Sequence, residues 1–170
     1  MVLLTYRCND NAARFLPLLR RAAGVWNDVL SDLVRLSEWT PPQPQFSTTL
    51  STALNILVVM DSPMDNPSNR LRTPQNPTRV AACQRLAPDY WRITLSHDVK
   101  WATSAWSRFW GSGEDALAAL VHELGHVFAL PHASDPAYVM HPEIGGTGKL
   151  SRTEKEHYRT HFLKVIENES

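Results

Sequence analysis

The stretch His122-Glu123-Leu124-Gly125-His126-Val127-Phe128-Ala129-Leu130-Pro131-His132 organises the whole chain. Leu117, Leu120, Val121, Leu124 and Phe128 recur at helical spacing through it, so it continues an amphipathic helix begun upstream. Ser112 reads as the N-cap, with Glu114 and Asp115 in the first turn, and Pro131 must lie beyond the end. Upstream, Leu54–Met60, Val80–Leu86 and Trp91–Leu95 read as strands, the first bounded by turn residues and rich in β-branched types. Leu3–Tyr6 reads as another. Between them, Phe15, Leu18, Leu19, Ala22, Trp26, Val29, Leu30 and Leu33 predict one long helix over Asn11–Val34, with Pro17 in its first turns. Downstream, Ser134–Lys149 is loop-like. Ser151 and Glu154 then form a capping box for a last helix whose core face is Tyr158, Phe162, Val165 and Ile166. Helices and strands do not alternate regularly, so the pattern predicts an α+β fold.

Composition agrees with one globular domain. The chain has 170 residues, 43% hydrophobic and 20% charged, enough to bury a core without a disulfide scaffold. Lys+Arg and Asp+Glu are both 17, and the zero net charge argues against nucleic-acid or membrane-surface partners. No apolar run approaches the length that spans a bilayer. Met1–Leu4 is too short for a signal peptide, and Arg7 and Asp10 follow closely. Cys8 and Cys83 either pair or stay separate thiols.

On a helix, His122 and His126 stand one turn apart on the same face, and their imidazoles can converge on one ion. Glu123 lies on an adjacent face, placed to reach a water rather than to ligate. Once the chain leaves the helix, His132 can swing back as a third ligand. Three neutral nitrogens plus water make an open tetrahedral zinc site of the catalytic kind. Zinc would acidify that water and polarise a carbonyl, with Glu123 as general base.

The stretch resembles the HExxHxxGxxH motif of metzincin metallopeptidases. Tyr138-Val139-Met140-His141-Pro142 resembles their Met-turn, and the short gap from His132 to Met140 resembles the matrixin branch. Leu4-Thr5-Tyr6-Arg7, Trp26-Asn27, Leu54–Met60 and Leu150–Tyr158 also fall in matrixin order. The resemblance implies a twisted, mostly parallel sheet with an antiparallel edge strand, a long N-terminal helix and an active-site helix. It implies a single catalytic domain over residues 1–170, with an N-terminal lobe to His132 and a small C-terminal lobe beyond it. It implies one catalytic Zn2+ on His122, His126 and His132, Glu123 as base and Met140 as a hydrophobic floor. An extended protein or peptide substrate would lie antiparallel to Ile93, Thr94, Leu95 and Ser96, read as the edge strand, with Pro142, Glu143 and Ile144 walling the pocket after the scissile bond. Glu143 there would favour a basic side chain. Metzincins are mostly exported, which implies a secreted, monomeric protein.

Two positions depart from the pattern. The family glycine is Ala129 here, costly if that turn needs positive φ. Pro142 stands where other branches carry a zinc-binding tyrosine, so no tyrosine switch is expected. Two alternatives follow: a zinc-containing protein-binding module without catalysis, which Ala129 favours, and a zinc hydrolase of non-protein amides, which would not need a free strand edge. His141 reads as a solvated loop residue or a contact at the cleft rim. His157 and His161 read as a surface pair. Asp61, Asp65, Asn66 and Asn69 lack the spacing of a calcium loop, so structural calcium has no support. Trp101, Trp106 and Trp110 read as core or as an aromatic wall, and Gly125 as a close packing contact.

Overall fold

The computed structural model describes residues 1–40, 54–62, 70–72, 76, 78–104, 113–143 and 148–169. It is an α+β fold in which a five-stranded sheet, in the order β2-β1-β3-β5-β4, packs with three helices. The strands are β1 (Val2–Cys8), β2 (Val34–Glu38), β3 (Ile56–Met60), β4 (Ala81–Ala87) and β5 (Tyr90–Leu95). The pairs β2–β1, β1–β3 and β3–β5 are parallel, and β4 closes one edge antiparallel to β5. A minor parallel pair joins β6 (Trp101–Ala102) to β7 (Glu114–Asp115). Among the described residues no helix is long and apolar enough to cross a membrane.

The long first helix is shorter than its periodicity predicts. A 3-10 helix over Asp10–Phe15, capped by Asn9 Oδ1 on Ala12 N, leads into α1 (Leu16–Leu30), with Pro17 in its first turn. The chain then turns at Ser31 and enters β2, a strand absent from the sequence expectation. Leu30, Leu33 and Val34 continue the helical phase, and no Gly or Pro marks the break. Asn27 settles the local contest: its Oδ1 accepts from Leu36 N (2.7 Å) and its Nδ2 donates to Leu36 O (2.9 Å). One side chain thereby satisfies backbone groups on the outer strand of the sheet.

Helix α2 (Ala116–Val127) is buried almost all round and packs against α1 and β4. Its N-cap is Asp115, which accepts from Leu117 N and Ala118 N, and not Ser112, which lies outside the described residues. Trp26 is the hinge of the helical layer. Its Nε1 donates to Val121 O of α2 at 2.9 Å, and its ring packs on Phe128 and on Tyr158 of α3 (Arg152–Glu169). Trp101 is core, edge-on to Phe15, with its Nε1 donating to Ser96 O; Trp106 and Trp110 lie outside the described residues. Cys8 and Cys83 are free thiols. They sit on β1 and β4 with β3 and β5 between, a separation of about 14 Å at ordinary strand spacing, well beyond disulfide reach.

The edge strand is not the one expected. Ile93, Thr94 and Leu95 belong to β5, which is paired on both sides, and Ile93, Leu95 and Ser96 are wholly buried. β4 takes the edge, because it forms a hairpin with β5 through the turn at Pro88-Asp89 while β3 occupies the other side.

Candidate metal centre

The end of α2 builds the site. Phe128 N and Leu130 N both donate to Gly125 O, and Ala129 N donates to His126 O. This is a Schellman turn, and it places the residue after the cap in the left-handed region. That residue is Ala129, at φ +58°, the only non-glycine with positive φ among the described residues. The alanine therefore adopts the turn a glycine would make freely. The reversal aims the Leu130 carbonyl back at His126 and brings His132 alongside.

Each helical imidazole is held by its far nitrogen. His126 Nδ1 lies 2.9 Å from Leu130 O, and His122 Nδ1 lies 2.8 Å from Val139 O. A carbonyl only accepts, so both Nδ1 atoms carry the proton and both Nε2 atoms present lone pairs. His126 Nε2 then lies 3.1 Å from His122 Nε2 and 3.2 Å from His132 Nε2. Without a cation, converging lone pairs at that distance repel. Three nitrogens tetrahedrally placed around zinc at its usual bond length stand about 3.3 Å apart, so the spacing fits a metal. Among the described residues this is the only such cluster, and it can hold a metal ion. Burial pushes the His122 imidazole down to about 4 and lowers His126 as well, so both stay neutral, as ligands must.

Glu123 is 4% exposed. Burial raises its carboxyl to about 7, although the Cys83 backbone on β4 lies close enough to pull its pKa down. Oε2 is buried with no hydrogen-bond partner. A buried oxygen left unpaired costs free energy unless a ligand or water completes it, the second sign that the site is built for something else.

Met140 is wholly buried and packs against Gly125, the residue before His126. A Cβ on Gly125 would collide with Met140 Sδ and come within 3.1 Å of the Trp26 ring, so Gly125 is the close contact its sequence position suggests. Ala133 N donates to Met140 O at 2.9 Å, tying the third histidine's segment to this turn. The capping box forms as expected, and Glu154 does more than cap. Oε2 accepts from Ser151 N, while Oε1 accepts from Val139 N, one residue before Met140.

A cleft of about 830 Å³ opens over the histidines. One wall is the run from Thr78 to Cys83, including the start of β4; Pro142 and Glu143 stand in the lining with His122, Glu123, His126 and His132. Ile144 lies outside the described residues, and Ile93 to Ser96 do not reach the cleft. His141 is partly buried and not in the lining, its Nδ1 3.2 Å from Glu143 N. Of the proposed calcium oxygens, Asp65, Asn66 and Asn69 lie outside the described residues. Asp61 instead accepts from Leu71 N and from both the backbone N and ring Nδ1 of His97. Sequence reasoning missed the Val139 and Leu130 carbonyls, which no residue type signals, and the wall around Arg79 and Cys83, which the Pro88-Asp89 hairpin turn would have placed at an edge. No protein-family model matches the chain, and no curated protein matches it.

Proposed function

We propose that this protein is a zinc-dependent endopeptidase of metzincin type, matrixin-like, with His122, His126 and His132 as metal ligands and Glu123 as general base. The observation that carries this reading is the convergence of three histidine Nε2 atoms in one cleft with the unpartnered Oε2 of Glu123. A bound zinc ion would supply Lewis acidity toward a water and a substrate carbonyl. The chain's own residues do the rest. Glu123 has an unpartnered Oε2, free to take a proton from the attacking water and deliver it to the leaving amine. Val139 O and Leu130 O fix the imidazoles in the tautomer that leaves Nε2 available. Met140, wholly buried against Gly125, would form the hydrophobic floor.

The substrate would add as an extended strand to the outer edge of β4, which replaces Ile93–Ser96 in that role. Among the described residues no strand pairs with the outer edge of β4, and an edge of that kind along the cleft favours a peptide over a small non-protein amide. The non-catalytic alternative loses its one support, since Ala129 adopts the required turn. On this reading the protein is an exported monomer.

The test is digestion of an unfolded protein such as casein by the zinc-loaded protein, followed by mass spectrometry. Cleavage by wild type, abolished by Glu123→Ala and by a zinc chelator, is the expected result. Stoichiometric zinc with no cleavage of any unfolded protein would refute the reading.

A further inference from the structure

We propose that Arg79 selects an acidic side chain on the C-terminal side of the scissile bond, roughly two to four residues beyond it. The inference rests on the peptidase reading above. Cys83 marks the level of the reacting groups along the cleft wall, because it is the β4 residue farthest along the strand that lines the cleft with Glu123 and the histidines. Arg79 precedes it by four residues on the same run. That run stays bonded to β5 and its exit: Ala81 pairs with Leu95, and Val80 O accepts from Ser96 N at 2.9 Å. Four residues of extended chain cover about 13 Å. A peptide antiparallel to β4 runs toward Arg79 as it proceeds to its own C-terminus. Residues past the scissile bond therefore draw level with the guanidinium, and the long arginine side chain shortens the gap by a residue or so.

Arg79 is exposed, lines the cleft, and pairs with no carboxylate among the described residues. It shares that lining with Glu123 and the three histidines. Glu114 and Glu143 also line the cleft, but from other elements. Of the charged residues in the lining, Arg79 alone stands on the run that leads directly into β4, so the register of a strand paired with β4 fixes which residue it meets.

A library of peptides randomised on both sides of the cut, digested by the zinc-loaded protein and read by mass spectrometry, locates any acidic preference. Three peptides with Glu, Gln or Lys at the enriched position then give ratios of kcat/KM. The expected order is Glu, Gln, Lys, with steps of about threefold that shrink as salt rises. Arg79→Ala flattens the ratios and Arg79→Glu inverts them. A wild type that cuts without acidic preference, that prefers acids on the N-terminal side, or whose ratios survive Arg79→Glu overturns this inference and leaves the peptidase reading standing. A wild type that cuts no peptide overturns both.

Discussion

Replacing Ala129 by glycine should stabilise this protein, an unusual outcome for a change to a more flexible residue. At φ +58° an alanine carries about 1–2 kcal/mol of backbone strain. Glycine removes that strain but gives the unfolded chain more freedom, which costs about 0.5–1 kcal/mol. The methyl group is exposed, so its loss leaves no cavity. The net gain is about 0.5–1 kcal/mol, or about 1–4 °C in Tm for a domain of this size. The measurement is urea denaturation of the metal-free protein, with Ala129→Val alongside, because a β-branched residue tolerates the left-handed region less well. The expected order of midpoints is Gly above Ala above Val, with equal slopes. A lower midpoint for Ala129→Gly would mean that the turn after α2 is not left-handed, and the placement of Leu130 O and His132 would fall with it.

Gly125→Ala should destabilise by about 1–3 kcal/mol, since the new Cβ strikes Met140 Sδ and crowds Trp26; thermal unfolding of the metal-free protein measures it, and an unchanged Tm would contradict the packing. Glu154→Ala leaves Val139 N and Ser151 N without their acceptor and should cost about 2–4 kcal/mol by urea denaturation. It should also weaken zinc binding, because Val139 O orients His122; unchanged zinc affinity would break that link. The fourth prediction concerns pH. The folded pKa of Glu123 is raised to about 7 from an ordinary 4.5, so its burial costs nothing below 4.5, and stability is lost as pH rises toward 7. Glu123→Gln should therefore stabilise the metal-free protein by up to about 3 kcal/mol at pH 8 and by nothing at pH 4. A gain independent of pH would show that the carboxylate is not desolvated.

The sequence was most legible where one residue type has one use. The helical phase of Leu117 to Phe128 placed α2, and the histidine spacing within it placed two imidazoles on one face. Ile56–Met60 and Tyr90–Leu95 stood out because β-branched and aromatic residues sit between turn signals. It was least legible where tertiary contacts decide. Val34–Glu38 continues the phase of α1, and only the Asn27 side chain, bonded to both backbone groups of Leu36, pins it as a strand. Asp115 takes the cap because the chain stays extended through β7, a pairing with β6 that no local pattern encodes. Strand order is likewise non-local: Trp91, Ile93 and Leu95 announce a strand, but not that β3 and β4 flank it. At the site, the ligand residues were readable from side-chain chemistry, while the carbonyls that orient them belong to Leu130 and Val139, whose side chains say nothing of that role.

Zinc K-edge X-ray absorption on the protein loaded with one equivalent of zinc tests the metal centre most directly. One tightly bound zinc per chain is expected, surrounded only by nitrogen and oxygen at about 2.0–2.1 Å, with the scattering pattern of three imidazoles. Substituting any one of His122, His126 or His132 by alanine should remove one imidazole and weaken binding. A sulfur neighbour at about 2.3 Å, or a spectrum that survives His126→Ala unchanged, would contradict it.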